Sequence, residues 1–185
     1  MLHAPPVLTT ERLVLRVHDV SDFEPMLALW QDERIYRDIT GRASTREESW
    51  MRLLRYRGLW PLLGFGYWAV TLRDGGRYIG DAGLADFHRD LDPAIDGDPE
   101  AGWMLHPDHW RRGLMSEALA AIFQWADGTL KPSRLVCMIS PGNEASFKLA
   151  AGHGFQRRAA LRGRRSERQV IVVPVGEGID GAAVV

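Results

Sequence analysis

The chain has very little cysteine and no long apolar run. Cys137 is the only cysteine among 185 residues, which excludes an internal disulfide and fits a reducing compartment. The six histidines lack compact ligand spacing, so no metal is expected. No apolar run approaches the roughly 20 residues that cross a bilayer, and residues 1–10 lack the pattern of a signal peptide. We therefore expect a cytoplasmic protein that does not contact membranes.

The chain also lacks an excess of charge. Its formal net charge is −1, so no overall field attracts nucleic acid or a membrane. Its hydrophobic content is 45%, which is ordinary for a globular protein and sufficient for one core. The length predicts one domain over residues 1–175, followed by a small-residue tail at 176–185 that we expect to be frayed.

The predicted elements alternate between strands and helices. Two capping-box patterns, beginning at Ser21 and Ser44, predict helices, the second of which should end near Gly58. A hairpin is predicted over 67–84, an exposed acidic loop over 86–100, strands over 13–17, 101–106 and 135–139, helices after Gly113 and Asn143, and two final strands ending at 175. This order predicts an α/β (α+β) fold with one mixed, mostly antiparallel central sheet flanked by helices, including one parallel step.

The segment His109–Ala118 is the most informative part of the chain. It places Arg111, Arg112 and Gly113 in a turn that leads into an amphipathic helix. Such a turn presents backbone N–H groups beside the positive end of a helix dipole, an arrangement that binds anions. The segment therefore predicts a pyrophosphate site, although an ordinary basic loop that caps a helix has the same local pattern.

Four stretches together resemble the GCN5-related N-acetyltransferases, and most closely the branch that contains ribosomal-protein alanine N-acetyltransferases. These stretches are 10–16, 100–107, 110–118, and 143–146 continuing to 152–155. The resemblance implies a GNAT-like sheet with a splayed pair of parallel strands. It also implies acetyl-CoA as co-substrate, bound where these strands separate.

The resemblance assigns cofactor-binding positions residue by residue. They are Trp103, Met104, Leu105, Trp110, Arg111, Arg112, Gly113, Leu114, Met115, Ser116, Asn143 and Ser146. The branch usually has glycine at the position of Arg111 and a small residue at that of Met115. A side chain disfavours positive φ at Arg111, and Met115 is expected to narrow the approach to the pyrophosphate. Asn143 is equally compatible with capping the following helix.

The implied reaction requires proton transfers, and three residues are candidates for them. An alkylammonium has a pKa near ~10, so a base or a water relay must deprotonate it. Glu100 is the first candidate base and His106 the second, with an exposed carboxylate and a strand cap as their structural alternatives. In similar enzymes the hydroxyl at the position of Ser146 lies near the thioester sulfur, which implies that it protonates or stabilises the leaving thiolate. The structural alternative is an ordinary serine in the first turn of a helix.

The sequence leaves the identity of the acceptor open. The resemblance implies a primary amine, either a protein N-terminus or a small cationic molecule, and the carboxylates of residues 86–100 favour a cation. The alternatives are a non-catalytic acyl-CoA-binding module or sensor, and an RNA-binding protein that uses the arginines between 157 and 168. Nucleic acid is disfavoured because no aromatic residues interleave with those arginines. A homodimer through the final hairpin remains open.

Overall fold

The computed structural model describes residues 5–89, 91–92, 94–163 and 168–174. The chain divides into two compact units, residues 1–85 with 101–130 and residues 86–100 with 131–185. Across the described part of the chain, no helix is both long and apolar enough to pass through a bilayer.

From residue 5 onwards, where its description begins, the first unit forms five strands and four α-helices. In chain order they are β1 (Leu8–Thr9), β2 (Leu13–Arg16), α1 (Phe23–Gln31), α2 (Glu33–Ile39), α3 (Arg46–Leu63), β3 (Tyr67–Leu72), β4 (Tyr78–Ala85), β6 (Glu100–Leu105) and α4 (Leu114–Thr129); β5 (Leu91–Asp92) belongs to the second unit. The strand order is β1-β2-β3-β4-β6. Pairing from β1 to β4 is antiparallel, with Leu13 opposite Leu72 and Tyr67 opposite Gly83. The predicted hairpin over 67–84 is confirmed.

Both capping boxes occur, but not at the predicted residues. The first joins Asp19 and Asp22 and caps a short 3₁₀ helix at Val20–Asp22, after which α1 begins without a side-chain cap. The second joins Thr45 and Glu48 at the start of α3. The predicted boxes at Ser21 and Ser44 were therefore wrong, because each local pattern admits adjacent hydroxyl or carboxylate caps. The separate helix α2 was not predicted.

The predicted end of α3 near Gly58 was also wrong. The helix continues through Pro61 to Leu63, and Gly64 follows in the left-handed conformation. Leu59 and Trp60 are buried, and the Trp60 indole donates a 3.0 Å hydrogen bond to the carbonyl of Tyr67. Packing of this last turn outweighs the local helix-breaking tendency of Gly58 and Pro61.

The core of the first unit combines aromatic packing with a buried polar cluster. The rings of Trp60 and Trp68 lie 4.6 Å apart in an edge-to-face arrangement. His18 Nε2 and Asp81 Oδ1 lie 2.7 Å apart, and both side chains are fully buried. Tyr78 donates a 2.7 Å hydrogen bond to the same Asp81 oxygen. Burial raises the pKa of Tyr78 well above its usual value, so its hydroxyl remains a donor.

The described residues of the second unit form four strands and one α-helix. They are β5 (Leu91–Asp92), β7 (Val136–Ile139), α5 (Glu144–Gly152), β8 (Phe155–Gly163) and β9 (Arg168–Pro174), and the strands lie in the order β7-β9-β8-β5. Their pairing is antiparallel, with Cys137 opposite Val172. The predicted strands at 135–139 and from 155 onwards are confirmed. The tail at 176–185 and the side chains of the arginines between 157 and 168 lie outside the described residues.

Candidate functional site

Strand β6 leads directly into the predicted anion-binding turn. Met104 and Leu105 are buried, whereas Trp103 is half-buried. The His106 amide donates a 2.8 Å hydrogen bond to Ile79 on β4. Because backbone groups alternate along a strand, the amides of Trp103 and Leu105 point away from β4. Of the residues assigned to β6, these two therefore carry the amides that are not directed at β4.

A second strand contact restricts the middle of β6. A Cβ atom at Gly102 would lie 1.9 Å from the hydroxyl of Tyr67 on β3. No side chain fits at this distance, so the Tyr67 hydroxyl takes the space that any larger residue would need. Tyr67 also stacks on Tyr56 of α3, with ring centroids 4.2 Å apart. Tyr56 of α3 therefore holds Tyr67 of β3 in place, and Tyr67 in turn fixes the position of β6.

The turn after β6 is held by a hydrogen bond from its first indole. A short 3₁₀ helix at Pro107–His109 precedes Trp110, whose Nε1 donates a 2.7 Å hydrogen bond to the carbonyl of Leu105. Arg111 and Gly113 both have left-handed backbones, with φ of 58° and 73°. The arginine thus adopts the conformation that glycine usually provides, at a cost of about 1–2 kcal/mol. We call residues 110–113 the basic turn.

The side chains of the basic turn and of the start of α4 fall into an exposed set and a buried set. Arg111, Arg112, Gly113 and Ser116 are exposed, whereas Leu114 and Met115 are buried. The expectation that Met115 narrows the approach to an anion is therefore wrong, because its side chain packs in the core of the unit. The first amides of α4 have no partner within the helix, so a ligand at this end meets backbone donors and two cations.

A clamp that was not predicted fixes the basic turn to the first strands. Arg12 donates a 2.9 Å hydrogen bond to the carbonyl of Arg112 and a 2.6 Å hydrogen bond to Glu117. The Thr10 hydroxyl donates to the other carboxylate oxygen of Glu117 at 2.5 Å. All of these residues lie within stretches that carry the family resemblance, which was the only signal for them in the sequence. No local pattern connects them, because Arg12 and Glu117 are 105 positions apart.

Two histidines precede the basic turn and differ in burial. The His106 Nδ1 accepts a 3.3 Å hydrogen bond from the amide of Asp108. Its neutral form therefore carries the proton on Nε2, so only the engaged Nδ1 is available as a base. His109 is buried, and this burial, with Arg77 and Arg112 nearby, lowers its pKa. His109 is consequently neutral at neutral pH.

Glu100, which begins β6, is neither exposed nor isolated. Only 6% of the residue is accessible, and both of its oxygens accept hydrogen bonds from Arg89, at 2.7 and 2.9 Å. The interpretation of Glu100 as an exposed carboxylate is therefore wrong. Both carboxylate oxygens are therefore already engaged by one guanidinium in a bidentate arrangement.

Asn143 and Ser146 meet at the start of α5. The Asn143 side-chain oxygen accepts a 3.1 Å hydrogen bond from the Ser146 amide, which is the capping role that the sequence left open. This bond uses the oxygen and leaves the amide nitrogen as a potential donor to a ligand. Both residues are half-buried. The structure thus joins these two assigned residues with each other.

The acidic loop predicted over 86–100 is exposed only in part: among its described carboxylates Asp96 is exposed, whereas Asp86 and Asp98 are half-buried. Because Glu100 begins β6, we use the name acidic loop for residues 86–99. Asp86 accepts hydrogen bonds from the amides of His88 and Gly97 at 3.1 and 2.8 Å, and Asp98 pairs with Arg134. Possible ligand atoms of Asp86, His88 and Asp96 all lie within 4.8 Å of one another, a grouping that spacing alone had not indicated. Exposed carboxylates of this kind commonly lie close together without an ion.

Comparison with known proteins identifies the family. Residues 12–156 match the family described as "Acetyltransferase (GNAT) domain", and the chain belongs to this family. It is 28% identical over 162 residues to the N-acetyltransferase YoaA of Bacillus subtilis, itself uncharacterized, covering 85% of this chain and 86% of that protein.

Solved structures show the same fold. A GNAT-family acetyltransferase from Bordetella pertussis is similar with a TM-score of 0.80 and 27% identity, over 92% of this chain and 100% of that chain. The ribosomal L7/L12 α-N-protein acetyltransferase RimL, in complex with coenzyme A, shares the fold with a TM-score of 0.72 and 16% identity, over 91% and 97% of the two chains. The predicted mixed sheet with one parallel pair and flanking helices is confirmed.

Proposed function

We propose that the chain is an acetyl-CoA-dependent N-acetyltransferase whose acceptor is a primary amine. The single observation that carries this proposal is the basic turn. Two exposed arginines and two left-handed residues stand at the start of α4, in a chain that belongs to an acetyltransferase family. Acetyl-CoA would supply the thioester whose acetyl group passes directly to the amine nitrogen.

The pyrophosphate of the donor is the part that fits the basic turn. Backbone amides from Arg112 to Ser116 would bind its oxygens at the positive end of α4, and Arg111 and Arg112 would add charge-assisted hydrogen bonds. Trp110 and the Arg12 clamp position this backbone by holding it to β6 and α4. The amides of Trp103 and Leu105 would pair with the amide-containing arm of the donor, as in strand addition.

The two residues proposed as bases, Glu100 and His106, already form hydrogen bonds within the protein. A base must take a proton from the ammonium before attack. Glu100 would act only after Arg89 releases one oxygen, and His106 only through Nδ1, so a water relay through either residue is the arrangement that we favour. Ser146 would return a proton to the sulfur as the carbon–sulfur bond breaks. The nearby amide of Asn143 would orient the donor.

The acceptor class is proposed from chemistry rather than from local geometry. A cationic amine, on a protein N-terminus or on a small molecule, suits a chain whose acidic loop retains exposed carboxylate at Asp96. The coenzyme A complex of RimL supports the donor assignment by fold likeness. A cytoplasmic location stays a prediction from the sequence.

A non-catalytic acyl-CoA-binding module is the second candidate function. The observation that favours it is that both candidate bases are engaged, Glu100 by Arg89 and the His106 Nδ1 by a backbone amide. Such a protein would bind the donor through the same basic turn without transferring the acetyl group.

Thiol release measured with a panel of amines distinguishes these candidates. The panel should include alanine-initiated and serine-initiated peptides, spermidine and an aminoglycoside, with acetyl-CoA binding measured separately by calorimetry. Amine-dependent release with one acetylated product per thiol supports the transferase. Binding without release by any amine supports the module, and failure to bind acetyl-CoA contradicts both.

A further inference from the structure

A cavity beside α3 contains an arginine, Arg52, that the proposed reaction does not use. Its volume is about 660 Å³, and it lies along the connection from α2 to α3 and the exposed side of α3. Its charged lining consists of Arg42, Arg52 and Arg55 with Glu47 and Glu48. Three guanidinium groups and two carboxylates leave one uncompensated positive charge.

One of these arginines is fully paired. Arg42 donates hydrogen bonds of 3.0 and 2.5 Å to the two oxygens of Glu48. Glu48 also accepts a 2.8 Å hydrogen bond from the Thr45 amide as part of the capping box. Its bond with Arg42 lowers the pKa of Glu48 to about 2, so the carboxylate is ionised at neutral pH. This pair neutralises itself and leaves Arg42 as a useful control.

Arg52 lines the same cavity without such a partner. Its guanidinium carbon lies 3.6 Å from the ring centroid of Trp30, so one face of the group is covered by the indole. In the described part of the chain, no acceptor forms a hydrogen bond with Nη1, which is shielded from solvent, and no carboxylate forms an ion pair with Arg52. Burial lowers the pKa of Arg52, but its usual value is so high that the group stays charged.

An unpaired and partly desolvated cation is costly to a folded protein. Stacking on Trp30 fixes the plane of the guanidinium. Because Nη1 is shielded, the edge formed by Nε and Nη2 is the part of the group that can recognise a carboxylate through two parallel hydrogen bonds. The carboxylates of Glu47 and Glu48 in the same lining disfavour a multiply charged phosphate. Met51, with 57% of its surface exposed, adds apolar surface to the wall.

We propose that this cavity binds the carboxylate of a small organic acid, with Arg52 as the residue that recognises it. A single negative charge matches the net charge of the lining, and the side chain of Met51 suits an apolar group attached to the carboxylate. The carboxylate belongs either to the amine acceptor itself or to a separate acid, and only the first source rests on the proposed function.

Calorimetry with benzoate and its uncharged analogue benzamide tests the site without acetyl-CoA. Benzoate should bind saturably to the wild-type chain and benzamide should not. Arg52→Met should lower benzoate affinity by at least about tenfold, the loss expected for a charge-assisted hydrogen bond. Arg42→Met removes the same charge from the same cavity and should change affinity by less than about threefold, because that guanidinium already bonds Glu48.

The folded state of the variants is part of the test. Removal of an unpaired, half-buried cation should leave the Tm of Arg52→Met equal to or above that of the wild type. If this variant nevertheless unfolds, Arg52→Lys replaces it in the test. Lysine keeps the charge without the planar guanidinium, so benzoate affinity should fall, but by less than the loss of about tenfold expected for Arg52→Met. The proposal is overturned if benzoate does not bind, if benzamide binds equally well, or if Arg42→Met and Arg52→Met lose the same affinity.

The source of the carboxylate follows from acceptor kinetics. Phenylalanine and phenylalaninamide differ only in the carboxylate group beside the amine. If the acceptor supplies the carboxylate, Arg52→Met should raise KM for phenylalanine and leave KM for phenylalaninamide unchanged. If benzoate binds at Arg52 while neither KM depends on this residue, the ligand is a separate acid, and the site stands even if the chain transfers no acetyl group.

Discussion

The basic turn and the acidic loop carry opposite charges and use them in opposite ways. Arg111 and Arg112 of the turn point into solvent. In the loop, Asp86 accepts two backbone amides and Asp98 pairs with Arg134, while Glu100 immediately after it pairs with Arg89. A run of charge in the sequence therefore does not reveal whether that charge is available to a ligand. Three measurements test this difference between the two regions.

The largest expected difference between the two regions is the effect of a glycine-to-valine substitution on acetyl-CoA affinity. Gly113 and Gly97 both have positive φ, at 73° and 87°, so valine is strained at each by about 1–2 kcal/mol. Gly113→Val should also displace the amides at the start of α4 and weaken acetyl-CoA binding by about a hundredfold, or ~2.7 kcal/mol. Gly97→Val should leave this affinity within about threefold. Calorimetry on folded variants provides the measurement, and equal affinity losses would contradict the contrast.

Removal of one arginine from each region should separate paired charge from free charge. Arg89→Met leaves the buried Glu100 carboxylate without its partner and should lower the free energy of unfolding by about 2 kcal/mol at neutral pH, less than for a fully buried pair because Arg89 is partly exposed. Arg112→Met should change it by less than about 0.5 kcal/mol. Urea unfolding of both variants checks this. A comparable loss for Arg112→Met would show that the turn is structural rather than free.

The smallest effect concerns one histidine beside each charge cluster. Because the pKa of His109 is lowered in the folded state, the unfolded chain binds its proton first as the pH falls. The contribution of neutral His109 to stability is therefore complete above about pH 6.5 and is lost as the pH falls below it. The decrease in Tm between pH 7.5 and 5.5 should be smaller in His109→Gln than in the wild type. His88→Gln, at an exposed position in the acidic loop, provides the matched control.

Sequence patterns predicted elements whose causes are local and missed arrangements whose causes are distant. The hairpin turn at 74–76, the strand ending before Pro107 and the periodicity of α4 are local and were predicted. The end of α3 depends on Trp60 packing against β3 and was not. For the candidate site, the turn and the capping role of Asn143 were visible in the sequence, whereas the Arg12 clamp joins residues 105 positions apart.

The same limit explains why the acidic loop was misjudged. The pairing of Glu100 with Arg89 bridges 11 positions, and no periodicity specifies such a contact across a loop. Arg52 is a similar case, since helical spacing places it on α3 but only the structure reveals Trp30 beneath it and no acceptor among the described residues. Residue type predicts chemistry at a position, and tertiary contacts decide whether that chemistry is available.

The hydroxyl of Tyr67 occupies the space that a side chain at position 102 would need, so these two distant positions constrain each other. Alanine at 102 has room only if the hydroxyl at 67 is removed, so phenylalanine at 67 is the substitution that should permit it. In related chains, a side chain at the position of Gly102 should therefore accompany the loss of the phenol at that of Tyr67. The geometry of the central strand would then be inherited as a pair of residues rather than as one invariant glycine.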